Sequence, residues 1–186
     1  SAYVEAVRQQ RAAKDQQFAQ KAYQSGSPIP PEVRPQFDGL AYFPIRTNWR
    51  KAATLTITSS PDSGWRPAEP THKPKAGTVT FEHENKTYTL AVFWDVKGDP
   101  SRLFLPFKDA TTGRSTYPGG RFLDLTWAGG KEDEVVLDFN MAYNPYCAYS
   151  EEYLCPVPPP QNKLPIAVEA GEKAFPHPPR KGVPKA

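Results

Sequence analysis

Two groups of polar residues are best suited to chemistry in this chain: Asp109, Thr112, Arg114, Tyr117 and Arg121, and, further on, Asp138, Asn140, Tyr143 and Asn144. Two guanidiniums and a phenol can hold a carboxylate or a phosphate, because arginine presents a planar donor fork that matches such oxyanions. An acid and an amide that emerge together where a strand breaks into a loop can orient a ligand or a water. Burial there would lift the acid toward the range of a general base. The expected ligand-binding set is Arg114, Tyr117, Arg121, Asp138, Asn140, Tyr143 and Asn144, with a small anionic molecule as partner. The same residues have a structural use. Asp109 and Gly113 are ordinary turn residues, an arginine can pair internally with Asp124 or Asp138, and Asp138 and Asn140 can cap the following loop. Two functions therefore stay open. One is a small-molecule binding or enzymatic site at strand ends, formed by the 109–121 hairpin and the 138–144 loop. The other is a structural or protein-interaction module whose polar residues fasten a C-terminal strap.

Other candidate chemistry is weaker. Cys147 and Cys155 are separated too widely for a zinc half-site, and no second Cys or His pair accompanies them, so no metal is expected. They are a local disulfide if the protein is exported and buried thiols if it is not. A nucleophilic cysteine needs a base, yet His72, His83 and His177 fall in a loop, a hairpin and the C-terminal tail. Glu169 and Glu172 resemble an acid/base pair, but their Ala-Gly spacer points to a solvated turn. There is no Gly-rich phosphate loop, and nothing calls for a nucleotide or other cofactor.

These residues must be positioned by short strands. Period-two alternation marks Ala53–Thr58, Thr78–His83, Lys86–Trp94, Leu103–Phe107, Arg114–Tyr117, Arg121–Trp127 and Glu134–Asn140. Glu84 and Asn85 make a hairpin turn, and Gly129 and Gly130 another. Within the last strand Val135, Leu137 and Phe139 share one face, and Val136, Asp138 and Asn140 the other. Close turns with no intervening helix predict a mainly β fold, an antiparallel barrel or curled sandwich. Residues 3–23, free of Gly and Pro, predict one N-terminal helix with a thin apolar stripe, lying on the body and not inside it. Aromatic residues between Phe37 and Trp49 read as core packing under a loop, with Arg46 and Arg50 able instead to approach an anionic group. Pro156, Pro158, Pro159 and Pro160 predict an extended strap over the barrel, fastened by Asn162 and re-entering as an edge strand over Leu164–Val168.

The chain of 186 residues fits one domain. The expected division is a helix over 1–23 packed on a single β-rich domain over 24–172, followed by a basic Pro-rich tail over 173–186. The formal charge of +3 resides in that tail: Lys173, Arg180, Lys181 and Lys185 are four of 23 basic residues, and without them 19 face 20 acids. A near-neutral body argues against nucleic acid. No run is long and apolar enough for a membrane span, and no leader is visible. The compartment expected is the cytoplasm, with an exported form if an upstream signal has been removed. Oligomeric state leaves no signature.

Three stretches, FDGLAYFPI, LFLPFKDATTGRSTYPGGRFLDL and VVLDFNMAYNPYCAYSEEYLCPVPPPQNKLPIAVEAGEK, carry a resemblance to an uncharacterised bacterial and archaeal family, domain of unknown function 1684. They cover most of the chain after Phe37, and Arg11 and Asp15 of the helix are similar to the start of the family pattern. Tyr146 stands where relatives often have a second proline. The resemblance implies a shared fold and brings no activity, cofactor or catalytic residue with it.

Overall fold

The computed structural model describes residues 1–129 and 133–179. Gly130 of the expected turn and Arg180, Lys181 and Lys185 of the tail lie outside the described residues. The chain opens with α1 (Ala2–Gln20), N-capped by the Ser1 hydroxyl, which accepts from the Val4 amide at 3.3 Å. Residues 21–23, expected as helix, turn away instead. There β1 (Ala22–Tyr23) pairs in parallel with β2 (Gly26–Ser27) around Gln24, whose φ of 63° no helix accommodates.

Six strands make the body: β3 (Arg50–Ile57), β4 (Lys75–His83), β5 (Lys86–Trp94), β6 (Arg102–Phe107), β7 (Arg121–Thr126) and β8 (Glu134–Asp138). Their order is β7-β6-β5-β4-β3-β8, and every ladder is antiparallel. The β4–β5 hairpin turns at Glu84 and Asn85, both with positive φ, as a two-residue loop matched to strand twist requires. The edge strands β7 and β8 approach without a ladder, so the sheet curls into a nearly closed barrel.

Alternation fills its interior. Ala53 and Leu55, Val79 and Phe81, Leu90, Val92 and Trp94, Leu103, Leu105 and Phe107, Leu123 and Leu125, and Val135 and Leu137 all belong to one buried cluster. Phe139, just past β8, closes one end and meets the rings of Trp49, Phe81 and Phe107 at 5.4–5.6 Å. The barrel is a packed core with side chains where larger barrels hold ligands.

Two further clusters lie outside it. Phe104 and Phe122, on the outer face of β6 and β7, pack with Tyr117, Cys147, Ala148 and Cys155. Phe18 of α1 packs with Ile29, Tyr149 and Phe175.

Two expected strands are absent. Residues 114–117 belong to a loop organised by side-chain hydroxyls, and Arg114 carries no ladder bond. Residues 164–168 run beside β6 through isolated contacts, with Leu164 N donating to Lys108 O at 2.8 Å and Ala110 N to Ile166 O at 3.0 Å. Pro165 lacks the amide that a regular edge ladder would need.

Candidate functional site

Arg121 begins β7 on the inward face, in line with Leu123 and Leu125, and is 1% exposed. Its guanidinium closes the barrel mouth beside the Phe107 ring, 5.2 Å from the centroid. It donates to the carbonyls of Val168 (2.9 Å), Ala170 and Glu172 (3.2 Å), and to Asp109 Oδ2 at 3.4 Å. Burial pulls its pKa below the ordinary value, while Asp109 and Glu172 act in the opposite direction. Asp109 in turn accepts from Val168 N at 2.6 Å and from the hydroxyls of Thr111 and Thr112. The partner of Arg121 is thus Asp109, not Asp124 or Asp138, and the pair binds the strap to the barrel.

Asn162 does the same further along. Its Oδ1 accepts from Ala91 N at 2.7 Å, and its Nδ2 donates to Ala91 O (2.9 Å) and Pro106 O (2.8 Å). An amide can replace a missing strand neighbour in this way because it carries a donor and an acceptor side by side.

Asp138 ends β8, and Asn140 follows in a 3-10 turn over Phe139–Met141 instead of in the strand expected to reach it; both side chains bond to Tyr3 of α1. Tyr3 Oη donates to both carboxylate oxygens of Asp138 at 2.7 and 2.8 Å, and Asp138 Oδ1 accepts from Asn140 N at 3.1 Å. Asn140 embraces the Arg46 peptide, accepting from its N at 2.9 Å and donating to its O at 2.7 Å, and also donates to Tyr3 Oη. Burial and the neighbouring Asp138 raise the Tyr3 pKa to about 12. From the same helix Arg11 donates to Phe43 O and Asn140 O, and Asp15 accepts from Leu40 N. Lys14 reaches Glu172, which is 1% exposed and also accepts from Tyr149 Oη. Glu172 is therefore a buried anion at the centre of the helix–strap contact and not part of a solvated turn; Glu169 is exposed. Lys14 and Tyr149 escaped sequence reasoning, because helix lysines and loop tyrosines are too common to stand out.

Arg114 and Tyr117 lie elsewhere, in a mainly apolar cleft of about 470 Å³. Its walls are the 113–118 loop, the Cys147–Tyr153 loop and the segment from Ala174 to Pro179. The disulfide between Cys147 and Cys155 shapes the second wall, and a disulfide sulfur is no thiolate nucleophile. Ala174 N donates to Ser115 O at 2.9 Å, tying the third wall to the first. The Tyr117 ring lies over Gly119, where an added Cβ would sit 2.4 Å from Cε2; a glycine is needed for the ring to take this place. Tyr117 is only 9% exposed, and burial raises its pKa. Neither its hydroxyl nor the exposed Arg114 guanidinium has a hydrogen-bond or ion-pair partner among the described residues.

The seven expected residues are not brought together. Tyr143 and Asn144 line a more open depression of about 350 Å³ beside Asp95, Arg102 and Asp124, where Tyr143 Oη donates to Asp124 Oδ1 at 2.7 Å. Asn144 Nδ2 donates to Lys173 O at 3.0 Å. Among the histidines, His83 stacks on Trp49 at 4.2 Å and His177 meets the Phe175 ring. No group of three or more His, Cys, Asp or Glu side chains suited to a metal occurs among the described residues.

The profile of a family described as a protein of unknown function, DUF1684, matches residues 35–173. The chain belongs to this family. It is also similar to an uncharacterised protein of Haloarcula marismortui whose structure was solved by solution NMR. The two share 33% identity, with 92% of this chain and 94% of the other covered, at a TM-score of 0.69. No curated protein matches. Among the described residues, no helix is long and apolar enough to cross a membrane.

Proposed function

We propose that this chain is a small-molecule binding module whose ligand sits in the cleft between the 113–118 loop, the disulfide loop and the Ala174–Pro179 segment. One observation carries the reading: Tyr117 is nine-tenths buried and lines the cleft with its hydroxyl unpartnered. With no protein partner, that hydroxyl is open to a ligand atom, and a hydrogen bond made there would contribute about 0.5–1.5 kcal/mol. The volume is in the range that encloses most of a small organic molecule. Of the residues expected from the sequence, Arg114 and Tyr117 belong to this site. Arg121, Asp138 and Asn140 instead hold the scaffold that shapes it. The reading is of binding, because a ligand needs only the open donors of the cleft, Arg114 and Tyr117.

A second reading, a structural or interaction module, draws support from the complete internal use of Arg121, Asp138 and Asn162. The two are separated by amide chemical shifts of the labelled protein titrated with a set of small aromatic acids, amides and alcohols. Binding at the cleft should move Ala148, Ala174 and Phe175 together. Shifts that scatter over the surface, or none at all, would leave the structural module as the function.

A further inference from the structure

The polar equipment of the cleft restricts the chemical class of its ligand. Among the described residues, two charged side chains line it, Arg114 and Glu151. Glu151 has an interaction of its own, whereas the Arg114 guanidinium has no partner among the described residues. The other available polar group is the Tyr117 hydroxyl. Its raised pKa keeps it protonated at neutral pH, so it is ready to donate. Both open groups thus offer donors, and one carries a positive charge. The remaining surface is apolar, with Phe175 and Tyr153 supplying flat walls and the Cys147 disulfide and Pro118 the rest.

Each alternative class fits worse. A cationic ligand would face Arg114. A neutral one would cover the guanidinium without pairing it. A ligand with two or more negative charges would place the second near Glu151, with no second cation in the lining among the described residues.

We propose that the ligand is an apolar monocarboxylate, its carboxylate on Arg114 and Tyr117 and its hydrocarbon or aromatic body against the Phe175 and disulfide walls. The proposal rests on the cleft being a ligand site, as argued above. Arginine and a phenol hydroxyl can take the two oxygens of one carboxylate, and charge-assisted bonds of this kind are the stronger ones.

The test uses two acid and amide pairs of different shape, 2-naphthoate with 2-naphthamide and decanoate with decanamide, titrated into the full chain at neutral pH. In at least one pair the acid should bind about tenfold more tightly than its amide, as one charge-assisted hydrogen bond is worth. Arg114→Gln should abolish that preference while leaving amide affinity unchanged. Tyr117→Phe should weaken the acid severalfold and the amide less. The acid's affinity should also fall with added salt, because Arg114 is exposed to solvent. Melting curves of both variants show whether they remain folded. Acid and amide binding equally, or an acid preference untouched by Arg114→Gln, would overturn the ligand class while leaving the cleft a binding site. If none of the four compounds binds and the wider titration moves no cleft amide, the binding reading itself fails.

Discussion

Arg121 was a candidate ligand clamp because of its residue type; its position at the start of an inward-facing row makes it a barrel plug. The geometry predicts a large cost for removing it. Arg121→Met would leave the Asp109 carboxylate buried without its cation and three strap carbonyls without a donor. Losing one partner of a buried pair costs about 3–5 kcal/mol, so the urea midpoint should fall accordingly, or the protein should fail to fold at all. Asn162→Asp is a finer probe of the same strap. A carboxylate keeps the acceptor for Ala91 N but places negative charge against the carbonyls of Ala91 and Pro106, which the amide now serves as donor. A loss of about 2–4 kcal/mol is expected, worsening as pH rises through the acid's titration. Equal stability of Asn162→Asp and the parent at neutral pH would refute this account. The role of Asn162 could be read beforehand, since a short amide just after a proline run can supply the backbone pairing that the prolines cannot. That of Glu172 could not, because its partners Lys14 and Tyr149 are distant in sequence and converge only in the fold.

The helix shows what periodicity conveys and what it omits. Freedom from Gly and Pro together with a high Ala and Gln content announced α1, and its thin apolar stripe put it on the surface of the body. Its docking face, however, is made by Tyr3, Arg11, Lys14 and Asp15, each bonded to a distant segment, and hydrophobic patterning is blind to such a face. The strands were legible because inward residues alternate. Residues 114–117 imitated one, and only the hydroxyl network of Asp109, Thr111, Thr112 and Thr116 turns them into a loop. The helix contact gives a pH-dependent prediction. The Tyr3 hydroxyl titrates near 12 when folded and near its ordinary 10 when unfolded. Between those values the folded chain retains a proton that the unfolded chain has released, so stability falls as pH rises through the window. Tyr42, Tyr143 and Tyr149 are shifted in the same direction and add to the fall. Tyr3→Phe should be less stable than the parent at neutral pH by about 1–3 kcal/mol, since Asp138 loses its donor, but should lose stability less steeply above pH 10. Parallel pH profiles for the two proteins would show that Tyr3 does not keep its proton.

At the scale of the molecule, the barrel packs its own interior, so any ligand must be held outside it, on surfaces made by what wraps around the sheet. The wrapping starts from β8: residues 139–155 cross the outer face of β6 and β7, and the strap then returns along the barrel mouth under Arg121 and Asn162. Gly171 allows that return. At φ +80° it lies against Phe139 and Ala142, where a Cβ would meet backbone oxygens at 2.7–2.8 Å. The Cys147–Cys155 disulfide is the covalent element of this layer and also part of the cleft wall, so its reduction should act on stability and on binding together. With a sequence separation of 8, the bond is worth about 2–3 kcal/mol by loop closure. Denaturing the purified protein without reductant should show a mass two protons below that of the reduced chain. Under reductant the melting temperature should drop, while the barrel, whose aromatic core contains no cysteine, keeps its near-ultraviolet dichroism. Cleft ligands should weaken more than the loss of global stability explains, because the loop bearing Ala148 and Tyr153 is then no longer pinned against Phe104 and Phe122. A reduced protein that melts lower yet binds 2-naphthoate as before would show that the disulfide staples the fold without shaping the cleft.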